Sequence, residues 1–208
     1  KIPELQIKEL SDKEDISGKN ILFCVKPFAL ENVAIRLVGT ANIMISILAG
    51  TRLDFFKKHV KARNYARAMP NIAASVLQSM TTVTGDLETR DLSMKLFSSI
   101  GQCVWVQTEN QLDIATAIAG SGPAFLSLVA EALADGAVKA GLDRHLSAQL
   151  VQGLFTGTAA LLKHSQPAFI KDSVMSPGGT TAAGYAKLEE CNVRNAMIKA
   201  VEEAYNKA

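Results

Sequence analysis

The chain has 208 residues, of which 48% are hydrophobic and 20% are charged, with a formal net charge of +2. This length and composition are typical of a globular protein with one large domain or two small ones. The small net charge gives no electrostatic basis for binding nucleic acid. The longest apolar runs, such as residues 43–49, are too short to span a bilayer. We therefore expect neither a nucleic-acid partner nor a membrane.

Cysteine and histidine are few and scattered in this sequence, at Cys24, Cys103 and Cys191 and at His59, His145 and His164. Their spacing matches neither a zinc site nor a disulfide framework. We expect no metal, and we expect the cysteines to be reduced, mostly buried thiols. The charged segment 1–14 lacks the apolar core of a signal peptide. These features together predict a cytoplasmic location.

The first half of the chain alternates between strand and helix patterns. Short apolar or β-branched runs predict strands at residues 21–25, 43–49, 64–69, 80–84 and 104–106. Helical spacing predicts helices over 28–38, from Thr51 onward with Thr51 as cap, and over 87–100. Residues 1–19 are polar and receive no assignment. The alternation favours a mainly parallel sheet with helices on both faces, which is an α/β domain.

Three turns follow successive predicted strands, at Val25-Lys26-Pro27, Ala49-Gly50 and Met69-Pro70-Asn71. Ligands of parallel sheets bind outside the carboxyl ends of the strands. All three turns contain Gly or Pro, which suits places where the backbone approaches a ligand closely. Any one of them fits an ordinary loop. Three on successive strand ends favour a ligand-binding edge.

From residue 110 onward the apolar period becomes helical, and it predicts helices at 111–119, 123–140, 144–164, 167–175, 180–192 and 193–207. The two longest are dense in Ala, Gly, Ser and Thr and are apolar around most of their circumference. Such helices must be buried on several sides. A compact monomeric bundle of about a hundred residues could bury two such helices less completely than an oligomer could. We therefore predict a domain over 1–109 and an all-α oligomerisation domain over 110–208.

The turn Ser176-Pro177-Gly178-Gly179-Thr180-Thr181 joins two predicted helices. Pro177 fixes one φ angle, and the glycines allow backbone shapes that a side chain would forbid. Thr180 or Thr181 can cap the following helix. The turn presents backbone donors, hydroxyls and a helix dipole to one point, which suits a small carboxylate. Taken alone, the hexapeptide favours a capped turn without a ligand, because Gly and Pro are common in turns of every kind.

Several motifs occur in an order and spacing that resembles pyrroline-5-carboxylate reductase. They are residues 24–27 (CVKP), 67–71 (RAMPN), 113–125 (DIATAIAGSGPAF), 131–142 (EALADGAVKAGL) and Lys171-Asp172 before the turn. Enzymes of that family make proline by reducing a cyclic imine with a nicotinamide cofactor. The resemblance implies a Rossmann-like N-terminal domain, an all-α C-terminal domain and a homo-oligomer of at least two subunits.

The resemblance also implies roles for individual residues. Backbone N–H groups near Thr180 and Thr181, the glycines Gly178 and Gly179 and the Ser176 hydroxyl would hold the substrate carboxylate. The catalytic role falls to Thr181, whose hydroxyl would hydrogen-bond the ring nitrogen. The residues implied to bind NADPH or NADH are Val25, Lys26, Pro27, Ala49 and Gly50 along the cleft, with Pro70 and Asn71 near the nicotinamide.

Two departures from the family pattern stand out. Ile72-Ala73 replaces the usual Thr-Pro after Met-Pro-Asn. At the front, no G-x-G-x-x-[GA] phosphate loop precedes Ile21. Either the sequence omits a front segment or this is a fragment. A parallel sheet without its central first strand would expose apolar edges, which favours omission and a Rossmann-like domain truncated at its front.

Two other functions remain open at this stage. A hydroxy-acid dehydrogenase normally needs a lysine or histidine as acid or base, whereas the turn offers hydroxyls. A non-catalytic, reductase-like oligomerising fragment agrees with the absent phosphate loop, but the intact Ser176–Thr181 turn argues against it.

Overall fold

The computed structural model describes residues 6–208, so the first five residues of the predicted N-terminal domain lie outside it. The strands in the described part are β1 (Glu14–Asp15), β2 (Asn20–Phe23), β3 (Leu37–Val38), β4 (Ala41–Ser46), β5 (Ala62–Met69), β6 (Ser79–Gly85) and β7 (Gly101–Trp105). The α-helices are α1 (Leu30–Ala34), α2 (Leu53–His59), α3 (Arg90–Ser98), α4 (Glu109–Ala115), α5 (Gly122–Lys139), α6 (Arg144–Leu161), α7 (Pro167–Val174), α8 (Thr180–Glu190) and α9 (Val193–Tyr205).

Five strands form one sheet in the order β2-β4-β5-β6-β7. Every neighbouring pair is parallel except β5 and β6, which are antiparallel. β1 and β3 form a separate parallel pair. The mainly parallel sheet is therefore confirmed, and the short turn region between β5 and β6 explains the one reversal, since a parallel pairing needs a longer crossover.

Side chains of β4 belong to two apolar cores, which lie on opposite faces of the sheet. Met44 belongs to a core that includes Phe56 of α2, and Ile43 and Ile45 belong to another that includes Phe97 of α3. Side chains alternate between faces along a strand, so β4 is buried on both sides. This explains its continuous apolar sequence and confirms helices on both faces.

The predicted helix over 28–38 is wrong in its second half. A 3₁₀ turn at Pro27–Ala29 leads into α1, which ends at Ala34, and Leu37–Val38 is strand β3. Pairing of β3 with Glu14–Asp15 determines this conformation. That contact is distant in sequence, so local helical spacing could not reveal it.

Thr51 does not cap α2, contrary to the sequence-based expectation. It is buried and its hydroxyl donates to the Ala49 carbonyl at 3.3 Å. Arg52 occupies the N-cap position without a side-chain cap. The Leu53 N–H at the helix start instead donates to the Glu109 carboxylate at 2.9 Å.

Residues 109–139 form one helical stretch, where the sequence predicted two separate helices. A π-helical turn at Thr116–Gly120 follows α4, and α5 begins at Gly122. Within residues 6–208, this segment is the one that is long and apolar enough to cross a membrane by length and composition. The expectation that no run is long enough therefore needs correction, because residues 114–130 carry no charge.

The remaining helices lie close to their predicted positions. Gly141, predicted as a C-terminal cap, has φ +108°, and the Leu142 N–H donates back to Ala137 after the end of α5. The cysteines are free, but Cys24 and Cys191 are exposed, so the prediction of mostly buried thiols is wrong. Both lie just beyond element ends rather than inside them.

The chain divides into two compact units, one of residues up to Ser121 with Ala204–Ala208, the other of Gly122–Glu203. Glu109 and Asp113 of α4 bond to Arg67 in the sheet, which groups α4 with the first unit. The division into domains 1–109 and 110–208 stays a prediction.

Candidate active site

The carboxyl ends of β2, β4 and β5 lie side by side along one edge of the sheet. These strands are neighbours and parallel, and the register pairs Phe23 with Ser46 and Ser46 with Arg67. The turns Val25–Pro27, Ala49–Gly50 and Pro70–Asn71 follow these ends. The structure therefore brings together the residues that the sequence assigned to the cofactor, which we call the cofactor edge.

The chemistry of the cofactor edge fits an extended anionic ligand such as a dinucleotide. Ala49 and Gly50 are small and exposed, and Lys26 presents an exposed ammonium. Gly50 has φ +63°, and a Cβ built there would meet no atom within 4 Å. A ligand can approach such a backbone closely, and a lysine can meet a phosphate charge. The binding role of these residues stays a prediction.

Asn71 clamps the end of β5 to the π-helical turn. Its Nδ2 donates to the Ala119 carbonyl at 2.9 Å, and its Oδ1 accepts from the Ala73 N–H at 3.0 Å. Its own N–H donates to Ser79 Oγ at 3.1 Å. Oδ1 caps the 3₁₀ turn Ile72–Val76. Both ends of the side chain are therefore engaged within the protein.

An ion-pair cluster with a buried arginine at its centre lies beside the cofactor edge, and sequence reasoning missed its role. Arg67 is 2% exposed and donates to Glu109 Oε1 at 2.8 Å and to Asp113 Oδ1 at 3.1 Å. Arg52 lies 3.9 Å from Glu109 Oε2 and 3.7 Å from Asp113 Oδ2. We call these four residues the Arg67 cluster. The available signals were an arginine inside an apolar strand and two carboxylates four residues apart on a helix.

The Ser176–Thr181 turn ends at the N-terminus of α8. Gly178 has φ +70°, and the Gly179 N–H donates to the Ser176 carbonyl at 2.9 Å. A Cβ at Gly179 would lie 2.4 Å from Ser176 Oγ and 3.1 Å from the Ser176 carbonyl oxygen, so a larger residue there would force the Ser176 side chain to move. Both predicted cap residues were wrong, because Gly179 is the N-cap and no side chain caps the helix.

Thr180 and Thr181 instead occupy the first two positions of α8 and are exposed. In an α-helix the first N–H groups have no intrahelical acceptor. Neither hydroxyl is used to cap the helix. The turn therefore presents N–H groups, two hydroxyls and the positive end of a helix dipole, which suits a carboxylate.

Charged and aromatic side chains link the helices on either side of this turn. The Lys171 ammonium of α7 lies 5.5 Å from the centre of the Tyr185 ring of α8. Arg194 of α9 donates to the Tyr185 hydroxyl and to Glu189. The hydrogen bond to Asp172 raises the pKa of Lys171, and the hydrogen bond from Arg194 lowers the pKa of Glu189. The Lys171–Tyr185 contact therefore joins α7 to α8 across the turn, and Arg194 joins α8 to α9.

A mainly parallel sheet followed in the chain by a set of helices is an arrangement of the class of nicotinamide-dependent oxidoreductases. The family described as "Pyrroline-5-carboxylate reductase dimerisation" matches residues 109–208. A pyrroline-5-carboxylate reductase of Synechocystis is 41% identical over 98% of this chain and 79% of its own length. One from Pisum sativum is 34% identical over 95% of this chain and 76% of its own length. The chain belongs to the pyrroline-5-carboxylate reductase family.

Solved structures agree with this assignment. The enzyme of Streptococcus pyogenes superposes with a TM-score of 0.82 at 31% identity, covering 91% of this chain and 75% of that chain. The Plasmodium falciparum pyrroline carboxylate reductase, solved with NADP bound, gives 0.81 at 32% identity over the same shares. These matches confirm the Rossmann-like domain followed by helices. Membership of the family also indicates a soluble protein.

Proposed function

We propose that this protein reduces 1-pyrroline-5-carboxylate to L-proline with NADPH or NADH, the last step of proline biosynthesis. The observation that carries the proposal is the Ser176–Thr181 turn, an exposed helix start whose N–H groups and hydroxyls suit a carboxylate, in a chain 41% identical to the pyrroline-5-carboxylate reductase of Synechocystis over 79% of that enzyme's length. A hydroxy-acid dehydrogenase is disfavoured, since the turn supplies hydroxyls where that chemistry needs an acid or base.

The turn would bind the substrate through its carboxylate. The N–H groups of Thr180 and Thr181 and the hydroxyl of Ser176 are the donors, and the positive end of the α8 dipole adds attraction. Gly178 and Gly179 give the backbone the shape that brings these donors together. Holding the substrate at its only permanent charge fixes the orientation of the small ring.

Thr181 is the residue to which we assign the catalytic role. Its hydroxyl would hydrogen-bond the ring nitrogen and pass a proton to it from water. A neutral hydroxyl suits this task, because a lysine would disfavour the cationic iminium that accepts hydride best. Thr181 is the second residue of α8 and does not cap the helix, so its hydroxyl is available for this contact.

The cofactor edge would hold the dinucleotide. Val25, Lys26, Pro27, Ala49 and Gly50 line its length, and Pro70 and Asn71 lie at the nicotinamide end. When bound, the reduced nicotinamide supplies the hydride. Since both side-chain ends of Asn71 are engaged with Ala119 and Ala73, its part would be to shape the backbone at that end.

The helical half would assemble the protein into a homo-oligomer of at least two subunits. Leu126, Leu128, Leu150 and Leu154 are each more than half exposed in one copy. Apolar helices of this kind need a covering surface, and the matching family is a dimerisation family. A second copy of the chain, rather than a membrane, covers the apolar stretch 109–139. We also propose a cytoplasmic location.

The test is an assay of the full-length protein with NADPH and with NADH, each with and without 1-pyrroline-5-carboxylate. We expect cofactor oxidation only when the imine is present, with L-proline formed in equal amount. EDTA should leave the rate unchanged, because the proposed site uses no metal. A protein that assembles but forms no proline with either cofactor would contradict the proposal and favour the non-catalytic alternative.

A further inference from the structure

We infer that the Arg67 cluster sets the spacing of two turns of the cofactor edge, and that Glu109 is therefore a positioning residue for nicotinamide cofactor binding. This inference rests on the proposed function, since it takes the cofactor edge as the dinucleotide site. Glu109 itself lies on α4 and belongs to none of the three turns.

Glu109 ties together the segments that carry two of those turns. Its Oε1 accepts from the Leu53 N–H at 2.9 Å and from Arg67 at 2.8 Å. Leu53 begins the helix that follows the Ala49–Gly50 turn, and Arg67 lies three residues before Pro70 on β5. One carboxylate oxygen therefore holds both segments.

A second set of contacts from the same helical stretch fixes the β5 end. Asp113 accepts from the other nitrogen of the Arg67 guanidinium at 3.1 Å, and Ala119 accepts from Asn71 Nδ2 at 2.9 Å. Residues 109–119 thus hold β5 on both sides of Met69-Pro70. The position of Pro70 and Asn71 depends on where this stretch lies.

Burial makes these contacts stiff. The side chains of Arg67, Glu109 and Asp113 are 2%, 17% and 12% exposed. Hydrogen bonds between charged groups away from water are short and strongly directional. Weakening the shared carboxylate would let the Ala49–Gly50 and Pro70–Asn71 turns move apart. Cofactor binding would then suffer, whereas the substrate turn on the other compact unit would keep its donors.

The test is Glu109→Gln, which keeps the size of the side chain and removes its charge. NADPH binding to the full-length protein is measured by fluorescence titration without substrate, and the KM values for NADPH and for 1-pyrroline-5-carboxylate are measured separately. We expect the Kd and KM for NADPH to rise about three- to thirtyfold, with the KM for the imine within about twofold of wild type. A merely structural residue would lower the amount of folded enzyme without this split.

Glu88→Gln is the matched control, because it makes the same chemical change at an exposed carboxylate of the same compact unit. Its Kd for NADPH should equal that of wild type. Asp113→Asn is the second variant if Glu109→Gln does not fold cooperatively. It leaves both Glu109 bonds in place, and it should raise the Kd for NADPH by a smaller factor.

An unchanged Kd in a folded Glu109→Gln protein would overturn the inference, and so would loss of folding in both variants, since the cluster would then be only structural. Failure of the proposed function looks different. In that case the wild-type protein itself would not bind NADPH, or would bind it and form no proline. Binding by wild type with loss in Glu109→Gln supports the inference whatever the turnover.

Discussion

Arg67 Nη1 lies 2.8 Å from Glu109 Oε1, and Arg67 is 2% exposed. This contact joins the centre of the sheet to the first helix of the segment matched by the dimerisation family. A buried charge is tolerated only when it is paired, so each partner depends on the other. The contact is therefore a sensitive point for the stability of the first compact unit.

Arg67→Ala should lower the free energy of unfolding by up to about 3–5 kcal/mol, because it leaves the largely buried carboxylates of Glu109 and Asp113 with only the more exposed Arg52 beside them. Urea denaturation followed by circular dichroism measures this change. Arg63→Ala removes an exposed arginine from the same strand and should change stability by less than about 0.5 kcal/mol. Equal stability of the two variants would show that the ion pairs contribute nothing.

Asn71→Ala should lower the free energy of unfolding by about 1–3 kcal/mol, since it removes the donor to Ala119 and the acceptor for the Ala73 N–H. Asn71→Asp keeps the acceptor for the Ala73 N–H but turns a carboxylate oxygen toward the Ala119 carbonyl oxygen, so it should destabilise the protein at least as much as Asn71→Ala. Thermal unfolding of both variants beside wild type gives the comparison. If the alanine variant has the same melting temperature as wild type, water replaces the hydrogen bonds of Asn71 without loss of stability.

Much of the fold could be predicted from the sequence, because burial on both faces gives β4 a continuous apolar run and the helical half keeps a regular period. Elements whose conformation depends on residues far away in the chain could not be predicted in this way. Leu37–Val38 is a strand only because Glu14–Asp15 pairs with it, and α2 starts without a cap because Glu109 accepts from Leu53. No local pattern contains such information.

The candidate site shows the same division. Turns on successive strand ends identified the cofactor edge, since parallel strands bring their carboxyl ends to one side. The Arg67 cluster escaped prediction because its partners lie 42 and 46 residues away from Arg67 in the chain. The prediction that Thr180 or Thr181 caps α8 was wrong, because Gly179 occupies the N-cap position. Only the backbone geometry reveals this.

Cys24 provides a probe of the cofactor edge, because it is exposed and directly precedes Val25-Lys26-Pro27. Desolvation by the protein atoms around its sulfur raises the pKa of the Cys24 thiol, so the reactive thiolate forms only at a higher pH than usual and alkylation should speed up as pH rises. Bound NADPH should slow alkylation of Cys24. Mass spectrometry of digested protein follows each cysteine.

Cys191 serves as the internal control for this experiment, since it is exposed on the other compact unit. Its alkylation rate should not change with NADPH. If NADPH protects neither cysteine at saturating concentration, or protects both equally, the cofactor does not bind beside Cys24.

Gly157→Leu should weaken assembly of the oligomer. Gly157 lies on α6 at helical spacing with Leu150, Leu154 and Leu161, which are each more than half exposed. A Cβ at Gly157 meets no atom within 4 Å in one copy, so an added side chain starts from open space on this face. Light scattering at micromolar concentration should show a shift toward monomer, whereas Gly157→Ala should remain assembled. Wild-type-like assembly of the leucine variant would place this face outside the interface.

Thr181→Ala tests the catalytic assignment. If the Thr181 hydroxyl hydrogen-bonds the ring nitrogen, its removal should weaken transition-state stabilisation by about 1–3 kcal/mol. The value of kcat/KM should then fall by roughly one to two powers of ten. Thr181→Ser keeps the hydroxyl and should retain much of the activity. The Kd for NADPH should stay unchanged in both variants, because the cofactor edge belongs to the other compact unit.

The structure sharpens the control for this experiment. Gly179, rather than Thr181, is the N-cap of α8, so Thr181→Ala removes no cap and should leave the melting temperature close to that of wild type. A fall in activity without a fall in stability then reports on chemistry and not on folding. An alanine variant with normal stability and full kcat/KM would remove Thr181 from the reaction, and the turn would keep only the role of binding the carboxylate through its backbone.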